Sequence, residues 1–348
     1  MANAIFRWSL NLVTFGCLIW LYFLFSGQHP PSLSFLTGIT GSEWQGLKTV
    51  FVSIFLEALP FILLGVLVSS FLHLFVSEDS MRKFMPRNPV LGVVYACLLG
   101  VFLPVCECGM IPIVRRLIGK GMPVYIGVTY VLAAPVINPV TYAATAMAFR
   151  ADPEMVYSRL GLAFAVALAV GLVLYAALRE NPLRTTRRSG RHDHSYDDHN
   201  HHHHDHEHPH RGNRYLAILT HASDEFFEMG KYLLLGSFLT AVIQTFVSRS
   251  ALVSFSGDAW GSHLLMMGFA YLISLCSTSD AFVAASFSGT FSKGALLSFL
   301  VFGPMVDFKN TLMMLSVFRS RFVLKLIVLI AILVFLGSIV AERLLLYP

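Results

Sequence analysis

Seven apolar runs constrain this chain more than any other feature, because each approaches the roughly 20 residues that a helix needs to cross about 30 Å of hydrocarbon. They are Trp8 to Phe25, Leu47 to Val76, Tyr125 to Phe149, Leu160 to Leu178, Phe226 to Val247, Ala295 to Phe318 and Phe322 to Ala341. In lipid a spanning backbone must satisfy its own polar groups, and without strand-like alternation in these runs that leaves helices. Composition agrees: 55% of the 348 residues are hydrophobic and 13% charged, against about 25% charged in a soluble domain. The expected fold is an all-α polytopic protein of the plasma (inner) membrane, with the lipid bilayer as its surroundings. Arg7 before the first run resembles a signal peptide, but the run is long and no A-x-A-like site follows at "FSGQHPP", so it reads as an uncleaved anchor. The net charge of +5 comes from Lys and Arg scattered through short loops, which is how membrane proteins are oriented. No nucleic-acid partner is expected.

Between Arg179 and Arg214 the composition turns polar, with too few apolar residues to pack a core. The expected organisation is an N-terminal membrane half over 1–178 (the extra first span plus repeat 1), a disordered linker over 179–220, and a C-terminal membrane half (repeat 2) over 221–348. The linker holds His192, His194, His199, His201, His202, His203, His204, His206, His208 and His210, interspersed with Asp193, Asp197, Asp198, Asp205 and Glu207. Imidazole with carboxylate suits zinc, nickel and copper, so the tract is a candidate for metal buffering or sensing, with a plain solvated spacer as the alternative. No tightly bound cofactor is expected beyond such a linker-bound or transported metal ion.

The halves resemble each other. "EALPFILLG" from Glu57 matches "EMGKYLLLG" from Glu228 in the spacing of its glutamate and closing glycine. "CECGMIPIVRRLIGKG" aligns without a gap on "SDAFVAASFSGTFSKG", placing Glu107 opposite Asp280, and "PVINP" then meets "PMVDF", placing Asn138 opposite Asp307. Rare intramembrane polar groups recurring in order predict an internal repeat.

Two further apolar stretches, Val90 to Val114 and Leu264 to Phe291, are interrupted, the first by Pro104 and Pro112 and the second by "CSTSD". Read as simple spans, they put Arg115, Arg116, Lys120 and the Arg-rich linker outside, against the positive-inside rule. Read as re-entrant broken hairpins, they put those residues with Arg82, Lys83, Arg87, Arg319, Arg321 and Lys325 in the cytoplasm, leaving Lys48, Arg150, Arg159, Arg249, Lys293 and Arg343 outside. The halves then have opposite orientation, as in inverted-repeat transporters. The linker is expected to be cytoplasmic.

All five cysteines fall in apolar segments, which argues against a secreted disulfide framework. Cys106 and Cys108 flank Glu107 and offer two soft donors that favour thiophilic ions; Cys276 is a candidate third sulfur beside Ser279 and Asp280, while Cys17 and Cys97 read as packing residues. Glu57, Glu228, Asp280 and Asp307 are carboxylates within or at the margins of apolar segments, where such groups mark ion or proton pathways. Asp307 has Lys309 two residues on, and a structural ion pair is the bland reading. Asn138 offers a side-chain oxygen or a helix cap.

"PVCECGMIP", "GKGMP", "LAAPVINPVTY" and "SKGALLSFLVFGPMVDFKNT" together resemble the ArsP-type predicted permease family over most of both membrane halves. The resemblance implies export of trivalent organoarsenicals through membrane cysteines, here Cys106 and Cys108. The histidine-rich linker resembles a branch thought to export copper or zinc. The expected activity is that of a secondary permease, not an enzyme, exporting a thiophilic metal or metalloid. No Walker A motif is present. In that reading Cys106 and Cys108 ligate the cargo, Glu107, Asn138, Cys276, Ser279, Asp280 and Asp307 complete the site, and Glu57 or Glu228 couples export to protons. A membrane-embedded thiol redox enzyme and a metal sensor are the rivals, and a homo-oligomer is an open alternative.

Overall fold

The computed structural model describes residues 41–75, 86, 88–102, 106–177, 213–246 and 259–346. The first apolar run, Cys17 and the histidine tract lie outside these residues. Twelve α-helices follow one another among the described residues: α1 (Gly41–Phe75), α2 (Pro89–Phe102), α3 (Glu107–Gly119), α4 (Val124–Ala133), α5 (Pro139–Ala148), α6 (Pro153–Ala177), α7 (Asn213–Phe246), α8 (Ala259–Ile273), α9 (Ser279–Ser286), α10 (Lys293–Met305), α11 (Phe308–Val317) and α12 (Ser320–Ala341). A π-helical turn, Glu342–Leu346, continues α12.

Long and short helices divide the labour. Trp44–Phe71, Pro153–Ala177 and Ser320–Leu344 are long and apolar enough to cross a membrane. At 1.5 Å per residue the helices α2 to α5 and α8 to α11, of 8 to 15 residues, cover only about 12 to 22 Å and fall short of that thickness. Two single spans expected from hydropathy, Tyr125 to Phe149 and Ala295 to Phe318, are therefore each two helices. The breaks have a local cause. Asn138 is extended and accepts a hydrogen bond from Thr141 N, with Pro139 opening α5 behind it; Asp307 is extended and accepts from Asn310 N to open α11. An N-cap of this kind ends one helix and starts the next whatever the hydropathy around it. Val90 to Val114 and Leu264 to Phe291 are interrupted, at the extended Cys106 and over Ser274 to Thr278, where Ser274 has φ 53°. Pro112, however, lies inside α3 and does not form the break.

The order α1 to α6 recurs in α7 to α12, with lengths of 35 and 34 residues for the first pair, 10 and 10 for the fifth and 25 and 22 for the last. Packing recurs with it: α2 lies on α4 as α8 lies on α10, α4 on α6 as α10 on α12, and between the halves α3 touches α11 as α5 touches α9. The two closing glycines of the glutamate-to-glycine patterns are both points of close approach. A Cβ on Gly65 would lie 2.4 Å from the Gly109 carbonyl oxygen, and one on Gly236 would lie 3.3 Å from Lys309 Cα. Small residues allow helices to pack this closely in lipid, where no hydrophobic drive holds them together. Gly100 and Ala270 stand at the same place in α2 and α8; the first abuts Ala134 after α4 and the second abuts Gly303 in α10.

The helix ends also pair. A side chain at Gly92, near the start of α2, would collide with Ile126 near the start of α4. In the second half His263, near the start of α8, meets Glu342 after α12 at 2.9 Å, and Glu342 also crowds Gly294 at the start of α10. Lys293 bonds Asp152 at 2.7 Å, joining the start of α10 to the turn before α6.

Candidate functional site

The site is built where four short helices begin. Glu107 opens α3, Asp280 stands in the first turn of α9, and Asn138 and Asp307 cap α5 and α11. All four side chains are buried, Asp307 completely. A helix start concentrates unpaired N–H groups and the positive end of the helix dipole, so an acidic or amide side chain is stabilised there. Interhelix contact joins α3 with α11 and α5 with α9, which makes two junctions. Glu107 lies within electrostatic reach of Asp307, Lys309 and Asp280, and Asp280 within reach of Arg159. Each junction thus contains a buried acid and a buried cation.

A pocket of about 40 Å³ opens onto the first junction, lined by Ile54, Glu57, Ala58 and Phe61 of α1, by Cys106, Glu107 and Cys108, by Cys276 and Ser277, and by Lys309. Cys106, the extended residue before α3, makes no side-chain cap and lines the pocket beside Cys108. Cys276 reaches the same pocket from the break before α9, its sulfur 3.0 Å from the Thr278 hydroxyl and 3.1 Å from that of Ser279. Among the described residues no three His, Cys, Asp or Glu side chains stand ready-made around one point, although all three cysteines line the pocket.

Of the residues expected from sequence, Cys106, Glu107, Cys108, Cys276 and Glu57 line one pocket. Asp280 and Asp307 are buried but do not line it, and Ser279 touches Cys276. Asn138 is the α5 cap, with Oδ1 2.8 Å from Thr141 N and its amide donating to Ala134 O and Pro135 O at 2.9 and 3.0 Å. Glu228 lies in α7, with its side chain outside the described residues, as are the ten linker histidines. Cys97 is packed in the core.

Two basic residues change role. Lys309 has no carboxylate within ion-pair distance among the described residues; its buried ammonium faces the pocket near Cys108, Asp307, Glu107 and Cys106. Arg159, expected in an outside loop, is 1% exposed in the protein interior. Its Nη1 donates to Thr145 Oγ1 at 2.7 Å and its Nη2 to the Ser277 carbonyl at 3.0 Å. Its place at the start of an apolar run is also what a loop arginine looks like, so position alone could not separate them. The signal available was Thr145 on the preceding helix, a hydroxyl able to receive it.

A model of the family described as predicted permease, ArsP_1, matches residues 43–343. The chain is 45% identical over 301 residues to "UPF0718 protein YcgR" of Bacillus subtilis (strain 168), covering 86% of this chain and 98% of the relative. It is 35% identical over 278 residues to a Streptococcus mutans protein carrying the name "Putative two-component membrane permease complex subunit", covering 80% of this chain and 89% of that one. No solved structure matches the chain.

Proposed function

Because the chain belongs to the ArsP_1 predicted permease family, and is thereby a multi-pass permease of the plasma membrane, we propose that its cargo is a thiophilic metal or metalloid, exported from the cytoplasm. The observation that carries this reading is the convergence of Cys106, Cys108 and Cys276, distant in sequence, on one pocket with Glu107 and Lys309. Thiolate sulfur selects soft cargo such as copper(I), zinc or trivalent arsenic. A site whose sulfurs are not yet gathered suits transient binding, because a closed tetrahedral cage would hold its ion instead of passing it on.

We further propose that the halves form an inverted repeat with two re-entrant hairpins. The start of α2 lies beside the start of α4, to which the chain returns through α3, and the second half repeats this at α8 and α10. The Lys293 to Asp152 bond, with Glu342 after α12 crowding Gly294 beside Lys293, supports opposite directions for α6 and α12. Half-helix ends meeting at mid-depth are the usual site-building device of such transporters. In this scheme Glu57, at the pocket wall, couples cargo release to proton influx, and Glu228 occupies the matching place in α7. The name of the streptococcal relative supports a second membrane component as partner.

Metal analysis of the purified protein with and without residues 191–210 tests the reading. Loading with zinc, copper(I) or arsenite is expected to leave about one equivalent in the linker-deleted chain. Binding that vanishes with the linker would transfer the activity to the histidines and remove the permease site.

A further inference from the structure

The break before α9 is backbone outside any helix, and its position determines where Cys276 stands. Such backbone must be pinned by neighbours, since its polar groups have no ladder of their own. Two of its pins belong to its own half. Gln244 of α7 donates to the Ile273 carbonyl, and the Ser274 hydroxyl accepts from Lys309 N at 3.3 Å. The other two come from the first half: Arg159 of α6, which holds the Ser277 carbonyl at 3.0 Å, and the Thr141 hydroxyl, 3.5 Å from that of Ser277.

Arg159 is the stronger of the two by charge and distance. A buried guanidinium is costly unless it is paired and hydrogen-bonded, and its surroundings are arranged to receive it. Thr145 donates its own proton to Thr141 O at 2.7 Å, leaving its oxygen free to accept from Nη1. Thr141 is fixed in turn by Pro135 O at 2.9 Å. Asp280, the acid nearest in electrostatic influence, keeps Oδ2 without a hydrogen-bond partner, and Arg159 Nε has none either. The charge is compensated across the junction without a direct ion pair, so both Nη groups remain committed to Thr145 and Ser277. The matching place in α12, counted from the helix start, is Leu326, which cannot make such a clamp.

We infer that Arg159 is a positioning residue: by tying the second-half break to α5 and α6 it sets Cys276 against the Cys106–Cys108 pair of the first half. The inference deepens the thiol-site reading and rests on it for its purpose, but its geometry can be tested without any transported cargo.

Dibromobimane supplies that test. Each thiolate displaces one bromide to form a thioether, and fluorescence develops when both arms have reacted. In full-length protein keeping Cys106 and Cys276, with the other three cysteines replaced by serine, the wild-type Arg159 background is expected to cross-link. Arg159→Ala is expected to slow the reaction about tenfold or more, because a buried charged donor to a carbonyl is lost. Arg159→Lys, which keeps the charge and can serve one acceptor, should recover part of the rate. A general loss of structure would be recovered by neither substitution and would also lower the melting temperature. Thr145→Val, which deletes the Nη1 acceptor at constant volume, provides a milder second variant expected to slow the reaction in the same direction. Cross-linking unchanged within about twofold in both Arg159→Ala and Thr145→Val would overturn the inference. If cross-linking responds as expected while the purified protein binds no metal, the clamp stands and the cargo reading falls.

Discussion

At the scale of single residues, the site depends on polar side chains that each do one structural task before any chemical one. Asn138 accepts from Thr141 N and donates to two carbonyls, all within the break that creates α5. Asn138→Ala is expected to cost about 1–2 kcal/mol, read as a lowered melting temperature in detergent. Asn138→Ser keeps a capping oxygen and should recover part of the loss; equal stability of Asn138→Ala and wild type would mean that the cap contributes nothing. Much of this was legible in sequence, because polar residues in apolar runs are rare enough to notice: Glu107, Asp280, Asn138 and Asp307 all stand at the starts of short helices. Arg159 was not legible. Burial of a charge at the start of an apolar run depends on which helix packs over it, and sequence position does not report that.

Among elements, the matching glutamate-to-glycine patterns were visible and two of the breaks inside apolar runs were not. Hydropathy sums over a window, so a run such as Tyr125 to Phe149 scores as one span although a single cap divides it into α4 and α5. The glycines were informative for a physical reason: the closing positions of the two glutamate-to-glycine patterns, Gly65 and Gly236, are where α1 meets α3 and α7 meets α11. Gly65→Val would push a side chain into the Gly109 backbone and force α1 away from the helix carrying Cys106 to Cys108. A destabilisation of about 1–3 kcal/mol is expected, measurable by thermal unfolding. Gly161→Ala in α6, where an added Cβ meets nothing within 4 Å, is the control and should be neutral or slightly stabilising. Equal effects of the two substitutions would contradict the close α1–α3 crossing.

For the whole molecule, the opposite sense of the halves is the claim that turns twelve helices into a transport path. Cysteines introduced at Ser189 and Ser256 should react with an impermeant thiol reagent from opposite sides of the membrane, and reaction of both from one side would refute the inverted arrangement. Given that arrangement, the sulfurs of one half and the break of the other share a pocket that neither half completes alone. The most direct measurement is uptake of radioactive zinc, copper(I) or arsenite into inverted membrane vesicles. The account predicts uptake of at least one of these by the wild-type protein, abolished by Cys106→Ser and by Cys108→Ser and retained on deletion of residues 191–210. Uptake that survives both cysteine substitutions would contradict it.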